Sequence, residues 1–215
     1  MSDEMNSLRV ELIRLYPSSP LERLYLFLKM RIIPFEEFSA IMPRTGLIVD
    51  VGCGYGYIAN YLALASSDRT VVGLDPNTKR LELCERTVGN RTNVRFAADD
   101  IRKCDLFPAD GVLMADVLHH VPYAEQEEVL RGIHRVMRAG GIFLMRETRM
   151  SFSIRYFLFN YCLELLLYPM TEKLKFRKDH EWTHLLETVG FRIVRIIPNQ
   201  GSFPYVCSSF ICQKQ

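Results

Sequence analysis

The residues best suited to chemistry lie together in one stretch of the chain, which reads GLIVDVGCGYG from position 46. Leu47–Val51 is an apolar run with the length of a buried parallel strand, and Asp50 places a carboxylate near its carboxyl end. Gly52, Gly54 and Gly56 follow at every second position, where they let the backbone turn sharply and pass close to a ligand. Open α/β sheets bind ligands beyond the carboxyl ends of their strands, so this stretch predicts a ligand-binding loop.

The spacing of these glycines separates two classes of ligand. Dinucleotide-binding loops carry Gly-x-Gly-x-x-Gly, which brings a pyrophosphate to the amino end of the following helix. In this chain the third glycine, Gly56, comes one residue early, and Tyr57 occupies the position of the dinucleotide glycine. The spacing therefore disfavours a dinucleotide, and a glycine-rich turn in another kind of doubly wound protein stays open as the alternative.

Carboxylates also follow the next two predicted strands. Thr70–Leu74 leads into Asp75, nineteen residues after the last loop glycine, where an acid can accept both hydroxyls of a ribose. Asn93–Ala98 leads into the pair Asp99-Asp100. Because parallel strands end at the same edge of a sheet, we expect these carboxylates and Asp50 to face one crevice.

The fourth and fifth predicted strands carry further polar groups at their ends. Gly111–Ala115 runs into Asp116, which is followed by the pair His119-His120. Ile142–Glu147 ends in an acid and is preceded by Gly140-Gly141, a pair that we expect to end the helix before it. Five segments in order thus point to a single crevice built from several strand ends.

Together these five segments resemble the class I S-adenosylmethionine-dependent methyltransferases, over residues 45–147 and more weakly toward the carboxyl terminus. The first loop is similar to that family's Asp/Glu-x-Gly-x-Gly-x-Gly motif. The resemblance implies S-adenosyl-L-methionine as the cofactor, with Asp50 on the methionine amino end, directly or through water, and Asp75 on the ribose. The cofactor-binding residues that it implies are Asp50, Gly52, Cys53, Gly54, Gly56, Asp75, Pro76, Asp99, Asp100, Ile101 and Asp116.

In the resembling family an acid just after the third strand takes the adenine amino group, and the next residue often packs on the ring. Two adjacent aspartates leave the assignment open, and the spacing from Phe96 favours Asp100 over Asp99. The alternative makes one of them the cap of a short helical turn over residues 101–104. Both interpretations hold if each aspartate takes one role.

Methyl transfer from a sulfonium is an in-line displacement with a neutral leaving group, so the main task of the protein is to position the reactants. A general base is needed only when the acceptor must lose a proton. His119, His120 and Glu147 are the catalytic candidates because they follow strands at the same crevice. Each has a structural alternative: the histidines would bond loop backbone or pack beneath the cofactor, and the glutamate would be an ordinary strand-end carboxylate.

Composition limits the class of protein. The chain has 215 residues, 48% of them apolar, and a formal net charge of +2, which suits one domain with a full core and disfavours electrostatic binding of nucleic acid. Its six cysteines form no Cys-x-x-Cys pair, and His180 and His184 lack identifiable further ligands. We therefore expect reduced thiols, a cytoplasmic location and no metal, and the acidic start MSDE predicts no signal peptide.

Alternating helical and strand patterns predict an α/β fold, a doubly wound, seven-stranded, mostly parallel Rossmann-like sheet. We expect one domain over 1–215, with a helical segment over 1–44, a cofactor-binding core over 45–150, a cap insertion over 151–180, and a final helix and strands over 181–215. The resemblance implies the strand order 3-2-1-4-5-7-6 with an antiparallel last strand. The helices expected from the core onward are Tyr57–Ala65, Thr78–Thr87, Ala124–Arg138 and Asp179–Thr188, and the last is capped by Asp179 and ended by Gly190.

The amino-terminal segment reads as three helices. Leu8, Leu12 and Leu15 share one face of the first, Ser18–Pro20 predicts the start of the second, and Phe35–Ile41 forms a third short element between prolines.

The predicted cap carries the features that bear on substrate. Residues 152–168 are mostly apolar and aromatic, yet they are too short and too polar at their centre to cross a bilayer, so we expect a buried or lid helix and no transmembrane segment. The aromatic side chains suggest an apolar or acyl-type substrate, or else core packing between cap and sheet. The basic run Lys173, Lys175, Arg177 and Lys178 is either a solvated helix end or a contact for a phosphate or carboxylate on the substrate or on a carrier protein.

The leading interpretation is a methyltransferase that acts on a small apolar, acyl or aromatic molecule. Two alternatives stand beside it: a cofactor-binding module without catalysis, and methylation of a carrier-bound or macromolecular substrate. Tyr57 disfavours a nucleotide-dependent oxidoreductase. Nucleic-acid methylation is disfavoured because the chain lacks the Asn/Asp-Pro-Pro-aromatic signature and has a weak net charge.

Overall fold

The computed structural model describes residues 2–16, 26, 30–104, 108–148, 174–198 and 207–215. Its strands are β1 (Gly46–Val51), β2 (Arg69–Leu74), β3 (Val94–Ala97), β4 (Ala109–Ala115), β5 (Met137–Thr148), β6 (Phe191–Pro198) and β7 (Cys207–Lys214). They form one sheet in the order β3-β2-β1-β4-β5-β7-β6. The first five strands pair in parallel, and β7 is antiparallel to both β5 and β6. The predicted strand order and the direction of the last strand are confirmed.

The order in which successive strands are added to the sheet reverses at its centre, between β1 and β4. β1 lies between β2 and β4, and its last residue, Val51, is in register with Leu74 on one side and Met114 on the other. The three strands therefore end at the same level, and the loops that follow them meet at one edge. In doubly wound sheets such a switch point forms the ligand crevice.

Helices cover both faces of the sheet. They are α1 (Ser2–Leu15), α2 (Phe35–Ile41), α3 (Tyr57–Ala65), α4 (Thr78–Val88), α5 (Tyr123–Val136) and α6 (Asp179–Val189), with a short 3₁₀ turn at Leu118–His120. One core contains α5 and α6 and is centred on the fully buried Trp182. The other contains α1 to α4, with Phe35 and Phe38 at 0% exposure. Both faces of the central strands are thus removed from water, which is why those strands read as continuous apolar runs.

The amino-terminal helix packs through the face that the leucine spacing predicts. Leu12 is fully buried, and Leu8 and Leu15 pack against the same core. Full burial of one such side chain contributes about 2 kcal/mol. Polar contacts add to this packing, because Arg9 donates to both carboxylate oxygens of Glu36 on α2, at 2.5 and 2.6 Å.

Two local predictions are wrong. Gly140-Gly141 does not end a helix: α5 ends at Val136, and β5 begins at Met137 with an irregularity in its pairing that places Gly140 at φ 76°. Asp179 is not an N-cap, because Lys178 holds that position with an extended backbone. The Asp179 carboxylate instead accepts from the Ser208 hydroxyl on β7 at 3.0 Å, so a tertiary contact has displaced the local one. Gly190 ends α6 in the left-handed conformation, as predicted.

Several predictions fall outside the described residues. They concern the cap over 151–173, including Lys173, and the second amino-terminal helix from Ser18. Across the described ranges, no helix is both long and apolar enough to span a membrane.

Candidate functional site

The glycine loop follows β1 and folds back over the end of β2. Gly52, Gly54 and Gly56 have φ angles of 70°, 57° and 74°, a left-handed conformation that glycine adopts without steric cost. The N–H groups of Gly52 and Cys53 both donate to the Leu74 carbonyl, at 2.7 and 3.0 Å. The loop is therefore held against β2 at the level where the strands end.

Close packing requires glycine at two positions of the loop, and at the third the backbone is open to a ligand. A β-carbon at Gly52 would lie 2.5 Å from a Val117 methyl, and one at Gly56 would lie 2.7 Å from the Phe96 ring. A β-carbon at Gly54 would meet no atom of the described residues within 4 Å. The backbone at Gly54 therefore presents an open face, as expected where a ligand lies against the chain.

Asp50 is buried at the end of β1 with 1% of its surface exposed. Its Oδ2 accepts a hydrogen bond from the Ala59 N–H in the first turns of α3, at 3.1 Å. Burial raises the pKa of this carboxyl to about 7, against the lowering effect of the Ala59 bond, and the nearby charge of Asp75 raises it further. A cation placed beside Asp50 would restore its ionised form.

Asp75 braces the glycine loop from the end of β2. It is 4% exposed; its Oδ2 accepts from the Gly54 N–H at 2.9 Å and its Oδ1 from the Asn77 N–H at 2.8 Å. Arg80 lies 3.9 Å from Oδ2. A carboxylate has about four acceptor positions, so two remain after these two hydrogen bonds. Pro76, which follows, is exposed.

The two adjacent aspartates after β3 have separate environments. Arg102 donates from Nε and Nη2 to the Asp100 carboxylate, which also accepts from the Arg102 backbone N–H at 3.0 Å. This pairing lowers the pKa of Asp100 in spite of partial burial. The carbonyl of Asp100 accepts from Cys104 N–H, so Asp100 caps the predicted turn. Asp99 is exposed, with Oδ1 bonded to the Asp100 N–H at 2.7 Å.

The next residue, Ile101, was expected to pack on an adenine ring. It is 4% exposed and belongs to the core beneath α5, where its carbonyl lies 2.6 Å from a β-carbon built at Gly132. Its side chain therefore supports the turn from below. The sequence analysis did not identify Arg102. A basic residue two positions after an acid that begins a turn is the pattern that would have predicted its ion pair with Asp100.

Asp116 follows β4 with a φ of 58°, the one positive φ outside glycine in the described residues. Its Oδ2 pairs with Nη1 of Arg146, which is 1% exposed and also donates to the Ile32 carbonyl at 3.2 Å. Within the described part of the chain, no hydrogen-bond partner reaches the buried Oδ1 of Asp116. The sequence analysis did not identify Arg146 as a site residue. A charged residue within the otherwise apolar run of β5 is the pattern that would have drawn attention to it.

Glu147 faces the turn after β4, and its carboxylate is fully engaged there. Oε1 accepts from the N–H groups of Val117 and Leu118, at 3.0 and 2.7 Å, and Oε2 lies 2.8 Å from His119 Nδ1. Both Glu147 and His119 are buried, at 1% and 0% exposure. The structure therefore places Glu147 as a residue that orients His119 and the turn.

The rings of the two histidines are in contact at a tilt of 46°, with centroids 4.2 Å apart, and Phe176 stacks on His119 at 5.4 Å. The His119 carbonyl accepts from the Lys175 N–H at 2.8 Å, so residues 175–176 hold the turn from outside. His120 is half-buried, and burial, followed by the neighbouring His119, lowers its pKa to about 3. His120 is thus neutral at physiological pH.

The basic run has structural partners in the described residues. Arg177 donates to Gln126 Oε1 at 2.6 Å and lies over the rings of Tyr123 and Trp182. Over the described ranges, no three metal-ligating side chains converge, and His180 and His184 are both exposed.

Comparison with known proteins agrees with this geometry. The model of the methyltransferase domain family matches residues 48–141. An uncharacterized methyltransferase of Synechocystis sp. is 35% identical over 113 residues, which cover 53% of this chain and 51% of that protein. A fatty-acid O-methyltransferase of Mycolicibacterium smegmatis is 33% identical over 110 residues, 50% of this chain and 39% of that protein. The matches therefore span about half of the first relative and less of the second.

Among solved structures, the magnesium protoporphyrin IX methyltransferase of Synechocystis PCC 6803, with bound SAH, has a TM-score of 0.68 and 17% identity. The match covers 94% of this chain and 91% of that one. At this identity the likeness shows the fold. The domain match over residues 48–141, the sequence relatives and the seven-stranded fold agree, and together they support a class I S-adenosylmethionine-dependent methyltransferase.

Proposed function

We propose that this protein is a methyltransferase that binds S-adenosyl-L-methionine over the glycine loop. The observation that carries the proposal is the open backbone face at Gly54, whose N–H donates to the Asp75 carboxylate at the end of β2. Packing excludes side chains at Gly52 and Gly56, whereas at Gly54 the space is empty and only the backbone conformation calls for glycine. When bound, S-adenosyl-L-methionine supplies an electrophilic methyl group on a sulfonium.

The strand-end carboxylates fit the polar groups of this cofactor. Asp50, whose pKa is raised to about 7 by burial, gains a counter-charge from the methionine ammonium. Asp75 has two acceptor positions left, which suit the two ribose hydroxyls. Asp116, at the end of β4, offers an Oδ1 to which no described residue is hydrogen-bonded, on a backbone held in a strained conformation.

For the adenine amino group we assign Asp99 and not Asp100, because Arg102 already occupies the Asp100 carboxylate. Asp99→Ala should weaken S-adenosylhomocysteine binding by about tenfold, the effect of losing one hydrogen bond to a charged group. Asp100→Ala should instead cost about 1 kcal/mol of stability through loss of the turn cap, and change affinity less. Calorimetry on both variants separates the two assignments, and the reverse ranking would return the role to Asp100.

On the acceptor side, we propose His119 as the proton acceptor, held in position by Glu147. Oε2 of Glu147 fixes Nδ1 of His119 and so selects the tautomer in which Nε2 can accept a proton. His120 contacts that ring and is held neutral by burial, so it brings no second positive charge to His119. A base suits an acceptor that loses a proton on methylation, such as a phenol; a carboxylate, which is already ionised at neutral pH, needs none.

We further propose a small apolar or acyl acceptor. The support is the aromatic composition of residues 152–168 and the similarity to a fatty-acid O-methyltransferase over half of this chain. We also propose a single domain over 1–215 in the cytoplasm, because the six cysteines of the sequence form no Cys-x-x-Cys pair.

The test is binding followed by turnover. Titration with S-adenosylhomocysteine should show a one-to-one complex, and labelled S-adenosyl-L-methionine should pass its methyl group to fatty-acid or phenolic acceptors. Absence of binding by the intact protein would overturn the proposal. Binding without transfer to any acceptor, in extracts as well as with pure compounds, would identify a cofactor-binding module.

A further inference from the structure

The amino-terminal helix α1 ends against the glycine loop. Tyr16, directly after α1, is 6% exposed, and its ring lies 4.7 Å from the ring of Tyr57. Its hydroxyl donates to the Tyr55 carbonyl at 2.9 Å. Tyr55 stands between Gly54 and Gly56, so this hydrogen bond reaches the part of the loop that carries the open backbone face.

The hydroxyl is the last member of a buried chain of hydrogen bonds. Arg91 Nη2 donates to Asn60 Oδ1 at 2.5 Å, and Asn60 Nδ2 donates to the Tyr16 hydroxyl at 2.8 Å. Asn60 is 0% exposed and donates in addition to Thr87. Because a carbonyl can only accept, the Tyr16 proton must point at Tyr55, and the chain runs in one direction from the guanidinium to the loop.

This contact fixes one peptide plane of the loop. The Tyr55 carbonyl and the Gly56 N–H belong to the same planar peptide group. Tyr16 holds the carbonyl, and the Cys53 carbonyl accepts from the Gly56 N–H at 2.8 Å. A peptide that is held at both ends cannot rotate, and its orientation sets the direction of the backbone at Gly54 immediately before it.

We propose that Tyr16 is a positioning residue of the cofactor site, and that α1 is therefore part of that site although it lies outside the matched segment 48–141. The inference rests on the proposed function. Tyr16 acts through the Tyr55–Gly56 peptide and needs no contact with the cofactor. Without its hydroxyl, the loop samples several orientations, and binding must select one of them.

The test compares two tyrosines that differ in their link to the loop. Tyr16→Phe should weaken S-adenosylhomocysteine binding by about five- to tenfold, as expected for loss of one buried hydrogen bond. Tyr61→Phe is the matched control: Tyr61 is 2% exposed, and its ring packs against Phe35 on α2, with ring centroids 5.1 Å apart. It should keep its affinity within about twofold.

The hydrogen-exchange rate of the Gly56 N–H is a second measurement, and it should not change if Tyr16 only stabilises the fold. The Gly56 N–H should exchange faster in Tyr16→Phe and at the wild-type rate in Tyr61→Phe, relative to the global stability of each protein. Arg91→Met, two steps further along the chain of bonds, should change affinity in the same direction by a smaller factor.

Equal affinity in the wild type, Tyr16→Phe and Arg91→Met would overturn the inference and leave the proposed function standing. The same affinity loss in Tyr61→Phe would also overturn it, because the effect would then follow stability and not the loop. A wild-type protein that binds no S-adenosylhomocysteine would instead refute the proposed function, on which the inference rests.

Discussion

Replacing Asp50 by asparagine should stabilise the free protein at neutral pH while weakening cofactor binding. Asp50 is 1% exposed, and one N–H, that of Ala59, donates to its carboxylate. Asparagine has nearly the same shape and keeps an oxygen for that bond, but it carries no charge to bury. The variant therefore mimics the protonated aspartic acid at every pH.

The size of the effect follows from the pKa. Burial, opposed by the Ala59 bond and assisted by the charge of Asp75, moves the pKa of Asp50 from 3.8 to about 7. A carboxyl group whose pKa is higher in the folded than in the unfolded chain binds more protons when folded, so stability falls as pH rises between the two values. A shift of about three pH units at 1.36 kcal/mol each corresponds to roughly 4 kcal/mol of stability lost by pH 7.

The assay is urea unfolding of wild type and Asp50→Asn at a series of pH values from about 4 to about 8. The two free energies of unfolding should be similar at the acid end. The variant should gain steadily to roughly 3–4 kcal/mol near pH 7 and stay level above it. Asp68→Asn, at an exposed aspartate just before β2, is the control and should show no such trend.

A constant difference between wild type and Asp50→Asn across this range would refute the reasoning, since Asp50 would then have an ordinary pKa despite its burial. Cofactor binding provides a linked measurement. If the methionine ammonium pairs with Asp50, the affinity of the wild type for S-adenosylhomocysteine should rise as pH passes through about 7, and Asp50→Asn should lose that dependence.

Two further predictions concern the loop and the turn after β4. Gly52→Ala should destabilise the protein by at least about 2 kcal/mol, because the new β-carbon would lie 2.5 Å from Val117. Gly54→Ala should cost only about 1 kcal/mol of backbone strain, and its main effect should be a lower affinity for the cofactor. Thermal unfolding and calorimetry on the pair check this, and equal stability losses would contradict it. Glu147→Gln should cost about 1–3 kcal/mol and slow methyl transfer, since both carboxylate oxygens of Glu147 are bonded. Glu127→Gln, at a surface position where the side chain is 45% exposed, should change urea stability by less than about 0.5 kcal/mol, and a similar value for Glu147 would contradict the prediction.

Local patterns predicted most of the elements correctly. Tyr57–Ala65 and Phe35–Ile41 are helices with the predicted bounds, and Gly190 ends α6. These features depend on spacing, on proline and on glycine, which act within a few residues. The local prediction failed where a distant partner competed, as when Ser208 on β7 drew the Asp179 carboxylate away from a cap position.

The role of each polar side chain could be predicted less well than its position. The sequence placed Glu147 at a strand end, but its orientation depends on N–H groups of the turn after β4, about thirty residues away. For Asp99 and Asp100 the sequence left the choice open and leaned toward Asp100. The structure shows Arg102 on that carboxylate, a contact that depends on the geometry of the turn.

The sequence by itself determined the fold family, the glycine loop and the acids at the strand ends, because strand periodicity and glycine spacing are properties of neighbouring residues. Only the tertiary structure decided which of those groups are already bonded and which face open space. Burial raises the pKa of Asp50, and Tyr16 arrives at the loop from a helix thirty-nine residues before Tyr55. Desolvation and long-range hydrogen bonds depend on which surfaces pack together, and the pattern of neighbouring residues does not determine that packing.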